Sequence, residues 1–165
     1  QKNTQKESLR GDDNLAAVQP IFLHYDTKIV DARVGAALAS PSYAFGTMKK
    51  LGIHMSFGTD SPIEDMNPID NLYCAVTRRR LDGQPEGGWH PEECVDIYDA
   101  VDAYTAESAY AEFEEGVKGR LKPGFYADLV VLSKNIFEMD PLELRSTKID
   151  ATMEDGKFVF ERPGA

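Results

Sequence analysis

The sequence predicts an α/β protein, and three observations lead there. Over the first two-thirds of the chain, strand and helix signals alternate in the order strand, helix, strand, helix, which favours a parallel sheet carrying helices. From Gly116 onward the pattern changes to short apolar runs between turn residues, which predicts a small β-rich segment. With 165 residues, the chain is long enough for one core but falls short of the ~250 residues of a complete eight-unit βα barrel. The expected organisation is a polar, flexible start over 1–14, an α/β segment over 15–115 and a β-rich segment over 116–165.

Residues 1–14 are almost wholly polar and lack the periodicity of a core element. Leu15-Ala16-Ala17-Val18-Gln19-Pro20 then predicts a short buried strand of the kind found in parallel sheets, with Pro20 ending it. Ile21 to Gly35 is ambiguous; it holds His24-Tyr25-Asp26 and a weak helix signal over 28–34. Ser40-Pro41 reads as a helix start, followed by Ala44, Met48 and Leu51 at helical spacing and closed by Gly52.

Ile53 to Phe57 predicts the second strand. Ile53, Met55 and Phe57 fall on one face, and His54, Ser56 and Gly58 on the other, because strand side chains alternate. Asp60 shares the parity of the small, polar face, as a carboxylate at the C-terminal mouth of a barrel strand would; Gly-Thr-Asp also begins ordinary turns. Asn67-Pro68 repeats a helix start, with Ile69, Leu72, Tyr73 and Val76 as its apolar stripe and Arg78-Arg79-Arg80 as favourable charge at its C-terminus.

The glycines and proline between Leu81 and Trp89 predict a loop. Pro91 is expected to open a helix burying Cys94, Ile97, Tyr98 and Val101, and Thr105 to cap a shorter one carrying Ala109, Tyr110 and Phe113. Nine acids and no lysine or arginine lie between residues 91 and 115; spread along helices, they read as a solvated face. Ala127 to Leu132 is the next strand, and Ile149 to Met153 with Lys157 to Phe160 predict a hairpin across Glu154-Asp155-Gly156.

The net charge of −10 argues against a nucleic-acid partner or an anionic membrane surface. No apolar run approaches the roughly 18 residues of a membrane span, and there is no signal-peptide core. Cys74 and Cys94 read as isolated core thiols of a reducing compartment, so a cytoplasmic location is expected.

The available chemistry is narrow. There is no Gly-x-Ser-x-Gly elbow, no phosphate loop and no His-x-His or Cys-x-x-Cys spacing. A phosphatase of the haloacid dehalogenase type wants a second acid two residues after the first, where Asp60 is followed by Pro62. His54 and Asp60 lie six residues apart on one strand, roughly 20 Å, too far to share a metal held at ~2.0–2.3 Å. His54 therefore reads as structural and His90, before Pro91, as part of a helix start. His24 is the histidine expected near Asp60, lining a site.

Two stretches together resemble the C-terminal part of the metal-dependent amidohydrolase superfamily, and more narrowly amidohydrolase family 3, the YtcJ-like branch. One is Ala17-Val18-Gln19-Pro20 followed by Phe57-Gly58-Thr59-Asp60-Ser61-Pro62, similar to that family's barrel strands 7 and 8. The other runs from Gly119-Arg120-Leu121-Lys122-Pro123-Gly124 to Ala127-Asp128-Leu129-Val130-Val131-Leu132, similar to the return into its small β-sandwich. Pro68 to Arg79 and Tyr104 to Ala109 also fit.

The resemblance implies the C-terminal part of a (β/α)8 barrel, strands 7 and 8 with helices, followed by strands of a sandwich. It implies a hydrolase of C–N bonds in a small-molecule amide, with a divalent metal, zinc by expectation. Asp60 would be a metal ligand and the general base for the attacking water, Gln19 would line the substrate, and Pro20 and Pro62 would shape the loops. The family's metal-binding histidines have no counterpart here, so the chain is expected to be an inactive portion of an enzyme that binds no metal alone and self-associates through uncovered strands. The alternative is a non-catalytic α/β interaction module or a truncated remnant.

Overall fold

The computed structural model describes residues 14–164; the expected flexible start lies outside them except for Asn14. Strand β1 (Leu15–Val18) pairs in parallel with β2 (His54–Phe57), in the register Leu15 to His54 and Val18 to Phe57. The carbonyl of Asn14 already accepts from the His54 amide at 3.1 Å, and Val18 accepts from Gly58 at 3.1 Å. Asn14 thus belongs to the ladder. β1 is only half-buried, with Leu15 exposed, against the buried strand expected: its far edge has no partner strand among the described residues.

Between the strands the chain forms a 3-10 turn (Pro20–Phe22) and four short helices: α1 (Leu23–Asp26), α2 (Val30–Val34), α3 (Ala36–Ala39) and α4 (Phe45–Lys50). The Ser40-Pro41 signal does not start a helix. Ser40 instead ends α3, residues 41–43 turn, and α4 begins at Phe45. Gly46 shows why α4 sits where it does, since an added Cβ would meet the Glu92 carbonyl oxygen at 2.9 Å.

Helix α5 (Pro68–Thr77) follows its sequence signal closely. The Asn67 side chain accepts from the Ile69 amide at 3.0 Å and Pro68 takes the first turn, satisfying one orphan donor where proline lacks its own. Helices α6 (Ile97–Tyr104) and α7 (Ala106–Ala111) follow. The helix expected at Pro91 is only a 3-10 turn, and α6 is capped by Asp96, which accepts from the Asp99 amide at 2.8 Å. Ala100 and Ala103 form its buried face while Tyr98 is exposed. Thr105 makes no side-chain cap; its hydroxyl donates back to the Val101 carbonyl at 2.8 Å.

The C-terminal part is a three-stranded antiparallel sheet, β3 (Leu129–Leu132), β4 (Ile149–Glu154) and β5 (Lys157–Glu161), in that order. Asp155 and Gly156 both take positive φ at the tip of the β4–β5 hairpin, as a tight two-residue hairpin turn requires. One apolar cluster includes Phe45, Met55, Phe57 and Leu72 with Ile136 and Leu144, so residues after β3 share the core of the parallel pair. Burying a side chain the size of Phe57 contributes about 1.5–3 kcal/mol.

Arg78 is the largest departure from the sequence reading. Expected as favourable charge at the helix C-terminus, it is fully buried. It takes positive φ at the C-cap of α5, which turns its side chain inward among Phe45, Trp89 and two backbone carbonyls.

Candidate active site at the strand ends

β1 and β2 run in the same direction, so their C-terminal ends open side by side, and Gln19 and Asp60 leave from those ends. β2 stops at Phe57. Asp60 then adopts φ of 58°, a left-handed conformation that aspartate tolerates better than most residues. The Ile63 amide donates to the Asp60 carbonyl at 2.8 Å, closing a turn. The Asp60 side chain is exposed, and no hydrogen bond or ion pair to it occurs among the described residues.

Gln19 is half-buried in extended conformation, its carbonyl accepting from Phe22 at 3.1 Å. His24 is half-buried on α1, and its Nδ1 accepts from the Leu81 amide at 3.0 Å. That bond fixes the tautomer with the proton on Nε2. Burial, and then Lys28, push the His24 pKa below its ordinary 6.5, while Asp82 and then Glu64 pull the other way. His24 is therefore anchored to the loop after α5.

Asn71 on α5 joins the two strand ends. Its Oδ1 accepts from the Ile21 amide at 2.5 Å. Its Nδ2 donates to the Gly58 carbonyl at 2.7 Å and also to the Tyr104 hydroxyl. The side chain is fully buried, and burial lifts the Tyr104 pKa to about 12, keeping that hydroxyl neutral. The apolar-stripe reading passed over Asn71. The available signal was that nearly every other residue from Ile69 to Val76 is apolar, and a polar side chain on a helix buried nearly all round needs a partner.

The polar face of β2 is not an open mouth. His54 Nδ1 lies 2.5 Å from a Glu107 carboxylate oxygen and its ring stacks on Tyr110 at 4.1 Å. Ser56 meets Ser108 at 3.0 Å. Both partners stand on α7, so shared parity with His54 and Ser56 does not support the Asp60 assignment; its place past the strand end does. Two shallow cavities of about 190 and 200 Å³ flank His54. They lie at the opposite end of β2 from Asp60, which lines neither.

The described residues do not fit a complete metal centre. No three His, Cys, Asp or Glu side chains among them come together to hold an ion. Asp60 offers one carboxylate, and His24 has its Nδ1 engaged by Leu81.

A family model described as the amidohydrolase family matches residues 10–160. The chain belongs to the amidohydrolase family. The putative amidohydrolase YtcJ of Bacillus subtilis is 32% identical over 145 residues, taking in 88% of this chain and 27% of that protein. An N-substituted formamide deformylase of Arthrobacter pascens is 29% identical over 119 residues, 72% of this chain and 21% of that protein. Among solved structures, an uncharacterised metal-dependent hydrolase from Pyrococcus horikoshii OT3 superposes with a TM-score of 0.71 at 29% identity, covering 84% of this chain and 28% of that one. The amidohydrolase family 3 resemblance thus holds, on a mixed α/β fold. The chain spans about a quarter of the length of these curated relatives. Among the described residues no helix is long and apolar enough to cross a membrane.

Proposed function

We propose that this chain supplies the last two strands of an amidohydrolase barrel and part of its β-sandwich, in a cytoplasmic enzyme that hydrolyses the C–N bond of a small amide. Asp60 is its catalytic carboxylate. The observation that carries the reading is an exposed carboxylate that has no partner among the described residues, held by a closed turn at the C-terminal end of a parallel strand pair. In (β/α)8 enzymes, reacting groups stand at that end of the strands.

In this reading Asp60 takes the proton from the attacking water and returns it to the leaving nitrogen, which needs an ionised carboxylate within hydrogen-bond reach of both. Gln19, on the neighbouring strand end, orients the amide, and His24 lines the site. The deformylase among the relatives makes N-substituted formamides the first substrates to try. A divalent metal, zinc by expectation, needs donors beyond those the described residues bring together, so no step is drawn through it.

The shortage of metal donors favours a second reading for the chain by itself, a non-catalytic α/β module that self-associates through its uncovered strands. Zinc content after purification discriminates. Stoichiometric, tightly held zinc supports a working site in the chain alone. Zinc-free protein supports the module reading for the chain alone, and leaves activity to a longer polypeptide.

A further inference from the structure

The clamp at Asn71 carries an inference that rests on the Asp60 reading above. A side-chain amide has one acceptor atom and two donor hydrogens, and at Asn71 all three are used: Oδ1 by Ile21, and the two Nδ2 hydrogens by Gly58 and Tyr104. Its orientation is therefore determined. Turning the amide over would set its NH₂ against the Ile21 N–H and its oxygen against the Gly58 carbonyl.

The two backbone partners are the informative part. Ile21 lies two residues past Gln19, and Gly58 two residues before Asp60. The β1–β2 ladder ends with the bond from the Gly58 amide to Val18, so beyond it the strand ends have no mutual backbone pairing to fix their spacing. We infer that Asn71 is a positioning residue of this site: one buried amide, held on the rigid helix α5, sets how far apart Gln19 and Asp60 stand.

The bonds to Ile21 and Gly58 separate in the variant Asn71→Asp, which keeps an acceptor for Ile21 and loses the donor to Gly58. Amide hydrogen exchange, read by NMR on the full chain, follows the Ile21 amide and the Ile63 amide, the latter reporting the Asp60 turn. The expected result is that Ile63 loses about tenfold or more of its protection while Ile21 and the interiors of α6 and β4 keep theirs. Loss of protection by one common factor at every amide would make Asn71 an ordinary core residue and overturn the inference, as would unchanged protection at Ile63. Should Asn71→Asp fail to fold, exchange of the unmodified chain in low denaturant decides. Ile21 and Ile63 opening as one unit supports the clamp, and independent opening overturns it.

The catalytic consequence is read in the active polypeptide that carries this chain. Asn71→Asp is expected to lower kcat about 10- to 100-fold, while a destabilised control, Ile136→Val, leaves kcat unchanged. An equal fall in both variants would overturn the positioning role. The exchange result needs no activity, so failure of the Asp60 assignment and failure of the clamp are distinguishable.

Discussion

Arg78 and Trp89 hold each other twice, once through the Arg78 side chain and once through the main chain. The Arg78 Nε–H donates to the Trp89 carbonyl at 2.9 Å, and the Trp89 amide donates to the Arg78 carbonyl at 2.8 Å. The guanidinium lies 5.2 Å from the indole centroid and 5.5 Å from that of Phe45. Burial lowers its pKa only to about 10, so the charge persists at neutral pH inside the protein. The loop after α5 is thereby fastened to the helix that supports the strand ends.

Lysine keeps the charge but cannot stack flat or serve two carbonyls in fixed directions. Arg78→Lys is therefore expected to destabilise the fold by about 2–4 kcal/mol, the scale of leaving buried carbonyls without donors. The shift in urea midpoint measures it, and a change within experimental scatter would show that the stacked fork contributes little.

Two glycines with positive φ separate backbone strain from collision. A Cβ on Gly88 would meet the Thr77 carbonyl oxygen at 2.5 Å and Arg78 Cβ at 3.2 Å, whereas one on Gly52 would meet nothing within 4 Å. Gly52→Ala should cost about 1 kcal/mol, the penalty of its conformation alone. Gly88→Ala should cost distinctly more, because the atoms it strikes belong to the α5 terminus and cannot rotate away. Equal melting temperatures for the two variants would contradict this.

Much of the fold was legible because its signals are local. Asn67-Pro68 and the Asp155-Gly156 hairpin tip each name their own geometry, and the alternation from Ile53 to Phe57 identified the buried face. Ser40-Pro41 misled because the same pair that caps a helix also turns a chain, and α3 was already ending there. Arg78 was misread for a related reason. A basic residue at a helix C-terminus usually faces water, and only the positive φ, set by tertiary packing, turned it inward. At the site, the position of Asp60 was legible as a strand end. The Asn71 clamp was not, since it depends on Ile21 and Gly58, 50 and 13 residues away.

His24 gives a pH dependence of definite sign. Its folded-state pKa lies below 6.5, so the unfolded chain takes up a proton more readily. Stability from this group is present above pH 6.5 and is lost as the pH falls below that value toward the folded-state pKa. Thermal unfolding followed by circular dichroism at about pH 7.5 and about pH 5.5 should show a larger drop for the unmodified chain than for His24→Gln. The same drop in both would remove His24 from the account.

Asp60 should behave as a residue with no structural duty. It is exposed and its side chain has no partner among the described residues, so Asp60→Asn should change stability by no more than about 0.5 kcal/mol. Zinc should not raise the melting temperature of the chain either, because a ligand at a hundred times its Kd would stabilise by about 2.7 kcal/mol and one carboxylate does not bind that well. A clear zinc-induced shift lost in Asp60→Asn would mean that donors converge on Asp60 after all.

The most direct test is the rate of metal-dependent hydrolysis of a panel of N-substituted formamides by the polypeptide that carries this chain, with Asp60 intact and with Asp60→Asn. Turnover is expected in the first and a loss of about a hundredfold or more in the second, at unchanged melting temperature. Equal kcat/KM in the two proteins, with metal bound in both, would contradict it.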